Sequence, residues 1–193
     1  MAISTTERER EKYTKAWNLN DYRNYAPGEQ FTMPFLLSVK PKKDHTIIDF
    51  GTGTGRSALF FHQAGFKVKM VDIAENCLDK EVAEELSDNL TVACLWDENI
   101  PFGDVGYCTD VMEHIPTEKV DAVIQNIMAH CHKCFFNICV TEDHFGKVIE
   151  EHLHLTVRPF EWWRDKLQEF GTLTVAKDLM ISSTYVLEAP YVN

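Results

Sequence analysis

Short runs rich in β-branched and aromatic residues alternate along this chain with stretches whose apolar positions fall at three- and four-residue steps. The first kind predicts strands over His45 to Phe50, Phe66 to Asp72, Leu90 to Leu95, Gly106 to Asp110 and Cys134 to Val140, because nearly continuous apolar runs of that length suit strands buried on both faces. Two more, Thr172 to Lys177 and Ser183 to Glu188, leave no room for a helix between them and predict a hairpin. Helical spacing is plainest after Thr117, where Val120, Val123, Ile124, Ile127 and Met128 share a face behind a threonine suited to capping the first turn. Pro159 opens another such segment, with Phe160, Trp163, Leu167 and Phe170 as its stripe and Gly171 as its stop. Glu7 to Trp17 reads as a helix ahead of the first strand, and Asp21 to Gly28 as a turn-rich connection.

Five βα units followed by a β-hairpin is the order these segments predict. The fold class is therefore α/β: a Rossmann-like, seven-stranded, mostly parallel sheet with helices on both faces, the C-terminal hairpin giving one antiparallel strand. The 193 residues suffice for one sizeable core and are short for two, so residues 1–193 are read as a single domain. Within it, residues 1–44 form a helical lid segment and residues 45–193 the ligand-binding core. A formal net charge of −11 argues against gripping phosphate backbones by bulk positive charge. This disfavours nucleic acid as a partner and favours a small molecule. The chain has no apolar run of about 18 residues, and its first twenty residues are too charged for a signal peptide; a cytoplasmic protein without a membrane partner is expected. The six cysteines are scattered through apolar or helical stretches, which suits reduced thiols better than a disulfide framework.

Chemistry concentrates first in the stretch IIDFGTGTG, residues 47–55. In α/β sheets, ligands bind beyond the carboxyl ends of the strands, where glycines admit close backbone approach and a helix amino terminus offers free N–H groups. Gly51, Gly53 and Gly55 stand at such a turn behind Asp49, spaced G-x-G-x-G and not G-x-G-x-x-G. That spacing favours a ligand without a pyrophosphate. Asp72 ends the next predicted strand about 20 residues on, where a carboxylate meets ribose hydroxyls. A bare strand-to-helix turn is the plain alternative for the glycines alone; Asp49 and Asp72 together weigh against it.

The two motifs in register resemble those of class I S-adenosylmethionine-dependent methyltransferases of the small-molecule type, as does YCTDVMEHIP at 107–116. The resemblance covers roughly residues 45 to 190 and implies S-adenosylmethionine as cofactor. Carried over, it places Gly51, Gly53 and Gly55 in the cofactor loop, Asp49 near the methionine amino group, Asp72 and Ile73 at the ribose, and the Thr109 backbone beside them. The adenine position is open between two readings: Asp97 reaches it through a shifted loop, or Trp96 covers the ring. Ahead of the first strand, Trp17, Tyr22, Arg23 and Tyr25 fit a lid, with Arg23 meeting the cofactor carboxylate in a charge-assisted bond, or else a surface helix with aromatic packing.

Methyl transfer requires alignment of an acceptor and, for a hydroxyl or amine, removal of a proton. Asp110, Glu113 and His114 follow the fourth strand, while Glu142, Asp143, His144, His152 and His154 follow the fifth. His114 is the first candidate for general base, with Glu113 beside it; the alternative is that this pair braces the following helix. His152 and His154 alternate in EHLHLTV, so an extended chain turns both to one face, toward the acceptor. A few methyltransferases, ubiquinone-biosynthesis O-methyltransferases among them, hold a divalent ion with E-x-x-E-H. Asp110 replaces the first glutamate here; with the H-x-H of 152–154 a divalent metal is possible but not expected, nor is zinc at the single C-x-x-C of 131–134. No D/N-P-P-Y/F segment or Pro-Cys pair occurs, which leaves a hydroxyl or amine of a small molecule as acceptor. A non-catalytic relative that only binds, and a nicotinamide oxidoreductase, are the competing classes.

Overall fold

The computed structural model describes residues 3–25, 27–97 and 99–190. Its centre is β1 (Thr46–Phe50), flanked by β2 (Lys67–Asp72) and β4 (Val105–Thr109); beyond them lie β3 (Leu90–Val92) on one side and β5 (Lys133–Cys139), β7 (Ser182–Glu188) and β6 (Thr172–Asp178) on the other. The sheet order is β3-β2-β1-β4-β5-β7-β6, with β7 antiparallel to both its neighbours and the other pairs parallel. The predicted seven-stranded Rossmann-like sheet is therefore present. Its chain order reverses between β1 and β4, which opens a crevice beyond their carboxyl ends.

The strands are apolar runs because both faces are covered. Helices α6 (Val120–His130) and α7 (Phe160–Gln168) cover one face, where Ile48, Phe50, Cys108, Ile124, Ile127 and Trp163 pack together. Helices α3 (Thr32–Val39) and α4 (Arg56–Gln63) cover the other, with Phe35, Phe61, Tyr107 and Phe135 at its centre. The rings of Tyr107 and Phe135 stack there, their centroids 5.8 Å apart.

Four sequence expectations are corrected. The connection from β3 to β4 carries no helix among its described residues, so one of the five βα units is incomplete. The segment lacks a helical stripe: Ala93, Cys94 and Leu95 turn inward instead of extending the strand, and Gly103 packs on Ile48. Thr117 does not cap a helix, because its hydroxyl is bonded to that of Thr156 at 2.8 Å, and α6 begins after a 3₁₀ turn over Thr117–Lys119. α7 ends at Gln168, so Gly171 starts the hairpin, where an added Cβ would strike the Glu188 carbonyl. The connection ahead of β1 holds α2 (Asn20–Asn24), a 3₁₀ turn over Pro27–Phe31 and α3, whose Pro34 sits in the first turn where its missing N–H costs no bond.

Helix α1 (Thr5–Ala16), capped by the Ser4 hydroxyl, lies over the carboxyl ends of the strands. Arg10 donates to the Ile73 carbonyl at 3.3 Å, Asn76 to Thr14 at 3.1 Å and Trp96 to the Thr6 hydroxyl at 2.9 Å. Helix α5 (Lys80–Leu86) follows β2. Among the described residues, no helix is long and apolar enough to cross a membrane.

Trp163 is fully buried where α7 meets the sheet. Trp163→Ala is expected to destabilise the fold by about 3–5 kcal/mol, read as a lower denaturant midpoint at unchanged slope. Leu37→Ala, 69% exposed on α3, is the comparison and leaves the midpoint in place.

Candidate active site

The chain leaves β1 at Phe50 and turns sharply: Gly51 and Gly53 have φ of 71° and 53°, a region that side chains other than glycine rarely adopt. A Cβ on Gly51 would collide with Val111, and one on Gly53 would stand 2.9 Å from the Trp17 ring. The N–H groups of Gly51 and Thr52 both bond the Val71 carbonyl, at 2.8 and 3.0 Å. The Asp72 carboxylate then fastens the turn, accepting from Gly53 N at 2.9 Å and from Ala74 N at 2.9 Å. Asp49 accepts from the Thr52 hydroxyl at 2.7 Å. Burial pushes the Asp49 carboxyl up to about 7, against the Thr52 bond and helped by Asp72. Asp72 is pushed up to about 6 by the same burial, its backbone bonds opposing.

These groups form one end of a cavity that runs along the strand ends under α1. Asp49, Gly51, Thr52, Gly53, Asp72 and Ile73 line that end, Ala93 to Trp96 one wall, and Tyr13, Trp17 and Tyr22 the roof. Thr109, Asp110, Val111, His114, Asp143, Phe145, Leu153 and His154 line the far end. Burial pushes the Tyr13 and Tyr22 hydroxyls up, so both remain protonated. The buried Tyr13 hydroxyl and Trp17 Nε1 have no protein partner.

At the far end Asp110 takes the left-handed conformation, φ 58°, and its N–H bonds Asn137 O at 3.0 Å. This bend turns the chain into a 3₁₀ turn, Met112–His114. Glu113 is fully buried: Oε1 accepts from Cys139 N at 3.0 Å, and its carboxyl lies against that of Asp110. Burial and then Asp110 push its carboxyl well up, and burial raises Asp110 too. His114 Nδ1 meets the Leu153 carbonyl at 3.2 Å. Burial, with His154 and Lys12 nearby, pushes His114 down to about 3 and keeps it neutral. His154 Nδ1 meets the Thr141 carbonyl at 2.7 Å. Its burial, which favours the neutral ring, is outweighed by Cys139, that carbonyl and Asp110, so its pKa is raised. The two rings meet edge to face, their centroids 4.7 Å apart.

Of the residues singled out in the sequence, Asp49, Gly51, Gly53, Asp72, Ile73, Trp96, Thr109, His114 and His154 line the one cavity. Glu113 lies behind it. Gly55 does not line it; it caps α4 and packs on Val82 and Leu78. Asp97 is outside as well, and its carbonyl accepts from Asn126 at 2.5 Å. Arg23 does not face the cavity: its guanidinium bonds the Trp17 carbonyl at 2.6 Å, the Asn76, Cys77 and Leu78 carbonyls and Asp79. His152 and His154 do not share a face, because residues 151–159 form no strand. His152 is exposed beside Glu142 at 3.9 Å, its carbonyl held by Lys12 at 3.1 Å. Sequence reasoning missed Tyr13. The signal was present in the spacing of Glu9, Lys12, Tyr13 and Ala16, the buried face of α1, but Glu9 and Lys12 disguise it by burying as an ion pair at 2.5 Å.

Comparison with known proteins follows this geometry. A family model described as a methyltransferase domain matches residues 22–176. Among solved structures, 1,6-didemethyltoxoflavin-N1-methyltransferase of Burkholderia thailandensis, with 1,6-didemethyltoxoflavin and S-adenosylhomocysteine bound, is 12% identical at a TM-score of 0.75, over 99% of this chain and 93% of that one. Magnesium protoporphyrin IX methyltransferase of Synechocystis PCC 6803, with S-adenosylmethionine bound, is 16% identical at a TM-score of 0.71, over 98% and 99%. At these identities the likeness is one of fold. None of the curated proteins compared matches the chain in sequence.

The raised carboxyls at the glycine turn have a consequence for stability. The fold holds protons on Asp49 and Asp72 that the unfolded chain, with aspartate near pKa ~3.9, has released. Their contribution is full below about pH 4 and is lost as pH rises through about 6 and 7. Asp49→Asn is expected to make the fall in melting temperature of the ligand-free protein between those pH values shallower than in the parent. Parallel curves for the two proteins would show that Asp49 ionises normally.

Proposed function

This chain belongs to the methyltransferase-domain family, and we propose that it transfers the methyl group of S-adenosylmethionine to a hydroxyl or amine of a small molecule. The observation that carries this reading is the single cavity joining the Asp49–Asp72 glycine turn to the His114–His154 end. The solved neighbours with S-adenosylmethionine or S-adenosylhomocysteine bound add support through their shared fold.

The chemistry fits each end. Asp49 and Asp72, both buried with acceptor oxygens facing a turn, suit a ligand that brings positive charge and hydroxyl donors. The ammonium and ribose of S-adenosylmethionine supply these. The glycine turn leaves room for the methionine part, and the wall from Ala93 to Trp96 receives the adenine, with Trp96 rather than Asp97 at the cavity. Arg23 acts one layer out, holding the Asn76–Asp79 loop that follows Asp72.

In the transfer, a lone pair of the acceptor oxygen or nitrogen forms the new bond to the methyl carbon as the sulfur–carbon bond breaks. The sulfonium leaves as a neutral thioether, and the acceptor loses its proton. The protein aligns the two reactants and favours the deprotonated acceptor. Asp110, Glu113, His114 and His154 form the acceptor end, under a roof whose Tyr13 ring stands 5.8 Å from that of His114.

Calorimetric titration with S-adenosylhomocysteine, with NAD as control, tests the cofactor. Binding of the former alone is expected, and Asp72→Ala is expected to weaken it by about 1–3 kcal/mol. Preference for NAD, or affinity unchanged in Asp72→Ala, overturns the reading. With an acceptor found by screening with methyl-labelled donor, His154→Ala is expected to lower turnover by about 10²-fold or more while leaving S-adenosylhomocysteine affinity within about twofold. Loss of cofactor affinity in step with turnover would assign His154 to the cofactor end.

A further inference from the structure

Three groups at the acceptor end bring ligating atoms close together. Ligating atoms of Glu113, His114 and His154 lie within 4.8 Å of one another. Each side chain is also fixed from behind. A carbonyl oxygen only accepts, so the contacts of His114 Nδ1 with Leu153 O at 3.2 Å and of His154 Nδ1 with Thr141 O at 2.7 Å place a proton on Nδ1. The lone pair of each neutral ring is then on Nε2. Glu113 is anchored through Oε1 by the Cys139 N–H, and its buried carboxyl lies against that of Asp110. Backbone groups that orient the ligands, with the opposite atom left free, are the usual support of a metal site.

We propose that Glu113, His114 and His154 bind a divalent transition-metal cation at the acceptor end of the cavity. The proposal deepens the methyltransferase reading of that end and rests on it for the ion's purpose, though not for its binding. Two imidazoles and a carboxylate suit zinc, iron(II), cobalt(II) or manganese(II) better than magnesium or calcium, which take oxygen ligands. Three protein ligands leave coordination positions open, and His114 and His154 also line the cavity. An acceptor hydroxyl occupies one of them. The cation lowers the hydroxyl pKa, the proton passes to water, and the oxygen so freed attacks the methyl carbon as the sulfonium departs as thioether. This selects an oxygen acceptor, preferably one with a second donor atom that chelates the same ion. Asp110, next to Glu113, lines the same end of the cavity.

The test uses the full chain stripped with a chelator and titrated with cobalt(II) alone, followed by visible d–d absorption and calorimetry. One equivalent is expected to bind with the spectrum of a nitrogen- and oxygen-ligated ion. Glu113→Gln and His154→Ala, the first isosteric, are each expected to weaken binding more than tenfold, while His132→Ala, exposed on the surface, leaves it unchanged. Absence of a stoichiometric site, or a site that survives both substitutions, overturns the proposal. S-adenosylhomocysteine titrated into the same stripped protein separates the two readings. Its binding without a cobalt site removes the metal and leaves the methyltransferase reading standing; cobalt bound with no cofactor affinity does the reverse.

Discussion

Asp72 is the point on which the cavity depends. Both carboxylate oxygens are fixed by backbone N–H groups, one from the glycine turn after β1 and one from the turn after β2. A side chain at the end of one strand thus sets the shape of two loops, and those loops are the floor of the site. Burial opposes ionisation there and at Asp49, so the turn carries two carboxyls suited to a positively charged ligand. Desolvation and ligand preference are the same fact seen from two sides.

The roof follows a different rule. Helix α1 is held mainly by polar anchors to strand-end loops: Arg10 on Ile73, Lys12 on His152 and Trp96 on Thr6. Its buried face includes the Glu9–Lys12 pair, 2.5 Å apart. Breaking a buried pair is costly, yet keeping one adds little net stability over an apolar substitute. The arrangement therefore orients the helix more than it stabilises the fold. Arg23 does comparable work below, joining the Trp17 carbonyl to the Asn76–Asp79 loop.

This contrast explains what the sequence disclosed. The sheet, its hairpin and the glycine turn were legible because each depends on local pattern: apolar runs for β1, β2, β4 and β5, and a fixed register of Asp49, Gly51, Gly53 and Asp72. The lack of a helix among the described residues between β3 and β4 and the overlooked α3 were not legible, since tertiary packing and not periodicity decides both. Arg23 misled because charge suggests a ligand, whereas five donors on a planar group are readily satisfied by nearby carbonyls. His152 and His154 misled because their alternation turns both to one face only where the chain is regularly extended, and residues 151–159 form no strand.

The far end was least legible, for a structural reason. It is made from two connections, residues 110–117 after β4 and residues 140–156 after β5, that are stitched to each other as well as to β5. Thr156 N donates to Glu113 O at 2.9 Å, Thr156 Oγ1 to Ile115 O at 2.7 Å, and the Thr117 and Thr156 hydroxyls meet at 2.8 Å. Thr156 is buried and nearly all its polar capacity is used in this seam. The seam fixes the distance between His114 on one connection and His154 on the other. A sheet edge positions the cofactor end by register, which a sequence encodes every second residue; a loop-to-loop seam positions the acceptor end by a few polar contacts between residues about forty apart. The His114–His154 end is therefore set by loops, while the Asp49–Asp72 end is bound to the strands.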